Sequence, residues 1–211
     1  MIFFSTDSNP HTDYLLGIKG DNGKTKFREI LEELNKLYSN PEYIDYQLMV
    51  AGHSLGGALA QMLAFFLAGS SEAVMLKKPI LAVTFASPVV GTEGYLKAFQ
   101  QLEKRRKLRH LRISNENDLV PGTPPFCSNF EQTGVNLHVR EGKRLIAGYR
   151  MTKRAVDLLS LESIECHCLE GNNSHHRRFY AKDKDDKYLN AEFFNMSVEE
   201  LYEKYAGDFT A

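Results

Sequence analysis

A serine with glycines two positions away on either side, Gly52-x-Ser54-x-Gly56, stands between an apolar run at residues 46–50 and the helix-forming segment Gly57-Ala58-Leu59-Ala60. That context suits a nucleophile elbow, a sharp strand-to-helix turn that presents a hydroxyl beyond the end of a strand. The turn forces its serine into a strained backbone conformation, so residues two positions away are expected to be small. Gly52 and Gly56 meet that need, and Gly57 lets the following helix press on the sheet. The helix N-terminus offers unpaired N–H groups and the positive end of a dipole beside the hydroxyl. The N–H of Leu55, directly after Ser54, is therefore the first candidate oxyanion donor. His53 is expected to point away from Ser54, as a packing or polar support residue rather than a base.

A nucleophilic serine needs a base, and the base needs an orienting acid. Asp118 lies in Asn115-Glu-Asn-Asp-Leu-Val-Pro121, just past a candidate strand at residues 108–113, where a loop can hold a carboxylate at the end of a sheet. Glu116 is the weaker competitor, and an exposed loop acid is the bland alternative.

The elements that must position these groups follow from periodicity. Phe27, Ile30, Leu31, Leu34, Leu37 and Tyr38 follow helical spacing, and Ser39-Asn40-Pro41 ends that helix. Residues 2–5, 46–50, 80–86 and 108–113 read as buried strands, with helices after the elbow and over residues 93–104. Residues 135–139 and 145–149 predict a hairpin around Glu141-Gly142-Lys143, residues 163–169 a last strand, and Ser197-x-x-Glu200 a capping box that opens a terminal helix. Strands alternating with helices predict an α/β fold with a mostly parallel central sheet and helices on both faces. Residues 1–211 are expected to form one domain.

The segment Ala51-Gly-His-Ser-Leu-Gly-Gly-Ala-Leu-Ala60 resembles the active-site segment of class 3 lipases, the α/β-hydrolases that include fungal triacylglycerol lipases. Phe85-Ala-Ser-Pro-Val-Val-Gly91 resembles the strand and turn after the family's elbow, and Asn115 to Pro121 with Pro124-Pro125 resembles its acid-bearing loop. The resemblance implies an α/β-hydrolase fold, N-terminally shortened here because the chain begins inside a candidate strand. It also implies the chain order serine, acid, histidine. His110 precedes Asp118 and His138 lies in the expected hairpin, so neither fits, and His167 falls between two cysteines on the expected last strand. His176 matches one subgroup's pattern and His175 another's, so the base is expected to be one of these two. In the family the N-terminal strand ends in Phe-Arg-Gly followed by Thr or Ser. The counterpart here is Phe3-Phe4-Ser5-Thr6, which makes Thr6 the second oxyanion donor but replaces the glycine with Ser5. Residues 11–18 occupy the position of the family's lid.

The implied function is cleavage of lipid carboxylic esters through an acyl-enzyme, with an acyl-ester lipid as partner, transient contact with a lipid surface, and no metal or organic cofactor. The altered oxyanion strand supports a second reading, a lipase-like scaffold that binds lipid or protein without turnover. Composition excludes other classes. Lys and Arg number 26 against 27 Asp and Glu, too balanced for a dedicated nucleic-acid binder. The longest apolar stretch, residues 58–68, is interrupted by Gln61 and falls short of the roughly 20 residues that a membrane span needs. Three cysteines, Cys127, Cys166 and Cys168, cannot pair completely and do not show paired zinc-ligand spacing, so a reducing compartment is expected. The first residues carry no basic region and only a three-residue apolar run. No signal peptide and a cytoplasmic location are expected, while oligomeric state is left open.

Overall fold

The computed structural model describes residues 23–123, 129–150 and 161–207, of which 161–163 as backbone alone. The expected strand at residues 2–5, the candidate lid at 11–18, Pro124-Pro125 and Cys127 lie outside the described residues. Helix α1 (Lys26–Tyr38) is capped by Thr25, whose hydroxyl accepts from the Arg28 N–H. Its Leu31 and Tyr38 are buried, and Phe27 and Leu34 pack on the same core. Strand β1 (Gln47–His53) leads into helix α2 (Leu55–Gly69), which is apolar on nearly all sides and correspondingly buried. There follow β2 (Lys77–Phe85), the short β3 (Gly91–Thr92), α3 (Glu93–Lys104), β4 (Leu108–Asn115) and the short β5 (Phe130–Glu131). The hairpin β6 (Val135–Arg140) and β7 (Lys143–Tyr149), then helices α4 (Leu161–His167), α5 (His175–Phe179) and α6 (Val198–Tyr205), complete the order.

The main sheet runs β1-β2-β4-β6-β7. Its first four strands are parallel, and β7 returns antiparallel to β6 around Gly142, which adopts φ +57°. Strand β4 is buried along its whole length, as a central strand covered on both faces must be. One core gathers Leu31, Met62, Phe65, Phe99, Ile80 and Leu108 under α1, α2 and α3. The other gathers Leu111, Ile113, Leu137, Leu145, Leu201 and Tyr202 under α6. The fold is therefore α/β with helices on both faces, as the alternating elements imply. No helix among the described residues is long and apolar enough to cross a membrane.

Two sequence expectations meet different fates at the C-terminal end. The capping box is present: Ser197 accepts from the Glu200 N–H, and the Glu200 carboxylate accepts from the Ser197 N–H. The last strand expected at residues 163–169 is instead helix α4 and the turn after it. Ile164 is 65% exposed there while Cys166 is fully buried. The apolar and polar alternation that suggested a strand was thus not the imprint of a buried sheet face.

Candidate active site

The parallel strands end together at one edge of the sheet, and hydrogen bonds continue past the ladder. The Ser54 N–H donates to the Phe85 carbonyl at 2.9 Å, the Ala86 N–H to that of Ile113 at 2.9 Å, and the Glu116 N–H to that of Val139 at 2.9 Å. Ser54 is thereby pinned at the end of β1 with φ 54° and ψ −126°, a conformation rare for any residue with a side chain. The steric demand falls on Gly52 and Gly57, as expected, but not on Gly56. A Cβ at Gly52 would lie 2.1 Å from the Gly56 carbonyl oxygen, and one at Gly57 would lie 2.8 Å from Ser87 Cβ. Among the described residues, a Cβ at Gly56 would meet nothing within 4 Å. Gly52 and Gly57 are thus required by packing, and Gly56 is not. Leu55 opens α2, so its N–H is among the first four of the helix, which have no intrahelical acceptor.

Asp118 sits in the turn after β4 and is completely buried. Its N–H donates to the Asn115 carbonyl at 3.2 Å, and its Oδ1 accepts from the Val120 N–H at 3.0 Å, so backbone on both sides orients the carboxylate. Glu116 turns elsewhere, accepting from the Glu141 N–H at the β6–β7 turn.

The histidine that joins these groups is His167, the last residue of α4. Its Nε2 lies 2.8 Å from Ser54 Oγ, and its Nδ1 lies 3.2 Å from Asp118 Oδ1. With the ring proton on Nδ1, directed at the carboxylate, Nε2 presents its lone pair to the serine hydroxyl. His53 supports this ring, donating from Nε2 to the His167 carbonyl at 2.6 Å with the ring centroids 4.7 Å apart.

This corrects the choice between His175 and His176, since the structure puts neither beside Ser54. His175 is buried behind the acid, its Nε2 3.6 Å from Asp118 Oδ2. His176 is exposed, tilts against the Tyr180 ring at 4.9 Å, and lines a surface cavity of about 500 Å³ with Glu170, Gly171, Ser174, Arg177 and Tyr180. Adjacent helical residues point in different directions, which separates the pair. His167 was missed because a position between two cysteines on a strand offered no route to Ser54. Its place after Asp118 in the chain was the available signal. Of the oxyanion candidates, Leu55 opens α2 directly after Ser54 and Thr6 lies outside the described residues. Among the described residues no three His, Cys, Asp or Glu side chains converge as metal ligands.

The family model for lipase (class 3) matches residues 18–128, a span that holds both Ser54 and Asp118. The chain belongs to the class 3 lipase family. Its fold is accordingly the α/β-hydrolase fold, with the serine-bearing elbow at the end of a parallel strand. Phospholipase A1-II 1 of rice (Oryza sativa subsp. indica) is 30% identical over 138 residues, covering 65% of this chain and 32% of the relative. The chloroplastic galactolipase DONGLE of Arabidopsis thaliana is 33% identical over 104 residues, covering 48% and 21%. The chain spans about a third or less of the length of these curated relatives. Among solved structures, the Rhizomucor miehei lipase in its propeptide complex aligns with a TM-score of 0.43 at 27% identity, covering 53% of this chain and 33% of that one. The Lip2 lipase of Yarrowia lipolytica aligns at 0.48 and 24% identity, covering 67% and 51%. The family match ends before residue 161, so α4 and its histidine come from the tertiary structure alone.

Proposed function

We propose that this protein is a serine hydrolase that cleaves carboxylic esters of lipids, with Ser54 as nucleophile, His167 as general base and acid, and Asp118 as the orienting carboxylate. The observation that carries the reading is the 2.8 Å separation of His167 Nε2 from Ser54 Oγ on a strained elbow. In the first step Oγ bonds to the ester carbonyl carbon while its proton passes to Nε2. The N–H of Leu55 donates to the oxyanion, and Thr6 is proposed as the second donor from its place in the sequence. The carbonyl–alkoxy bond then breaks, and the proton on Nε2 goes to the departing alcohol. Water attacks the acyl-enzyme and gives a proton to Nε2. That proton returns to Oγ as the acid is released. Asp118 holds the ring proton on Nδ1 and stabilises the imidazolium, remaining ionised throughout.

Membership of the class 3 lipases supports lipid esters as the substrate class. The relatives named phospholipase A1 and galactolipase point toward acyl esters of polar glycerolipids. Hydrolysis of p-nitrophenyl esters by the full chain tests the mechanism. Ser54→Ala and His167→Ala are each expected to lower kcat by at least about 10⁴-fold, whereas His176→Ala should stay within about twofold of wild type. A fluorophosphonate probe should label wild type at Ser54. A folded wild type that resists the probe and shows no turnover would favour the non-catalytic scaffold instead.

A further inference from the structure

His167 belongs to a segment that adds no strand to the sheet, so something other than the backbone ladder must fix its height above Ser54. Asn115, the last residue of β4, is completely buried and lies three residues before the acid. Its Nδ2 donates to the Cys166 carbonyl at 2.8 Å and to the Asn173 carbonyl at 2.7 Å. The first is the carbonyl of the peptide directly in front of His167. The second lies directly before Ser174, whose hydroxyl caps α5 by accepting from the Arg177 N–H. The orientation of the amide is also set. Asn115 Oδ1 accepts from Arg178 Nη1 at 2.9 Å, and the same nitrogen donates to the Glu116 carbonyl at 2.8 Å. Arg178 itself is only 3% exposed.

We propose that Asn115 is a positioning residue that sets the His167 imidazole against Ser54 and Asp118, by tethering the peptide in front of the base to the strand that carries the acid. This rests on the serine-hydrolase reading above. The Asp118 N–H bonds to the backbone carbonyl of Asn115, so a side-chain substitution leaves that anchor in place. Ser54 is held separately, by the end of β2. Loss of the amide therefore displaces the base while sparing the nucleophile and the acid. A misplacement of about 1 Å in such a constellation costs on the order of 10²-fold in rate. Asn115 is buried beneath the site, so the loss should appear in kcat and leave KM nearly unchanged.

The test uses the full chain with p-nitrophenyl butyrate, and compares wild type with Asn115→Asp and Asn115→Ala. Aspartate keeps the shape but turns an accepting oxygen toward the two carbonyls. Both variants are expected to lose about 10²-fold in kcat, with KM within about twofold and a cooperative melt. A kcat within threefold of wild type, or a fall matched by an equal loss of folded protein, overturns the proposal. A second readout needs no turnover: the downfield proton resonance of His167 Nδ1–H, assigned by its loss in His167→Gln. It should vanish or move upfield in the Asn115 variants, and an unchanged resonance overturns the proposal even if wild type proves inactive. Failure of hydrolysis in wild type counts against the serine-hydrolase reading, and the resonance then decides the tether by itself. Should both Asn115 variants fail to fold, Arg178→Gln removes the support on Oδ1 while leaving both donors. It should lose about tenfold in kcat and shift the resonance, and wild-type values for both would overturn the proposal.

Discussion

At the scale of single residues, strain and close approach gather where the strands end. Ser54, Ala86 and Asn117 all hold positive φ, at 54°, 51° and 67°, in the turns after β1, β2 and β4. Such conformations persist only where surrounding bonds enforce them, and the Ser54 and Ala86 N–H groups are both fixed to the neighbouring strand. The glycines of the elbow divide accordingly. Gly52→Ala drives a methyl into the Gly56 carbonyl, backbone that cannot yield, so it should lower the melting temperature sharply or prevent soluble expression. Gly56→Ala meets no neighbour among the described residues and lies on a helix, so it should leave stability unchanged or raise it by up to about 1 kcal/mol. Thermal melts of the two variants check this, and a destabilised Gly56→Ala would contradict the packing described.

At the scale of elements, helix formation at the C-terminal end depends on caps more than on length. Helix α6 has eight residues, too few to be stable alone, and its first turn is closed by Ser197 and Glu200. Its inner face carries Leu201 and Tyr202 into the second core. Ser197→Ala removes one side of the capping box and is expected to cost about 1 kcal/mol in denaturant unfolding. The kcat should stay at the wild-type value, because Glu199 beside the cap pairs with Arg109 at the start of β4, the strand end opposite the elbow. Helix α4 shows the opposite lesson. Its stretch from Ser163 to Leu169 alternates apolar and polar residues as a strand would. The segment is a helix as far as His167, and Asn115 donates to the Cys166 carbonyl in its last turn.

At the scale of the whole molecule, α3, β4, β7 and α6 meet around one buried carboxyl. Glu103 accepts from the Tyr149 hydroxyl at 2.6 Å and from the Tyr202 hydroxyl at 2.8 Å, with Arg109 and Arg112 nearby. Burial pushes its pKa up to about 7, against the partial relief of the two tyrosine hydrogen bonds. The native state therefore holds this proton more tightly than the unfolded chain does. The associated stability is fully present below about pH 4.5 and is lost as pH rises toward 7. His110 on β4 works in the other direction. Burial, with Arg112 beside it, holds its pKa well below the usual histidine value, so its contribution is lost as pH falls below about 6.5. Comparing Glu103→Gln with wild type isolates the carboxyl. The two should melt closely near pH 4.5, and the glutamine variant should gain steadily up to about pH 7, then hold its lead. A gap that does not change with pH would mean that folding leaves the Glu103 pKa unshifted.

The elbow, the acid and the parallel sheet were legible in the chain because each is local. Gly52 to Gly57 meet one another within six residues, Asp118 is oriented by its own turn, and buried strands announce themselves as short apolar runs. The histidine was not legible. His167, His175 and His176 all follow Asp118, and nothing within a few residues of any of them reports which faces a serine more than 110 positions earlier. That choice fell to long-range bonds: Asn115 on Cys166, Arg178 on Asn115, His53 on the His167 carbonyl. Side-chain hydrogen bonds between distant segments carry no periodicity, so only the folded arrangement could select the histidine that lies beside Ser54.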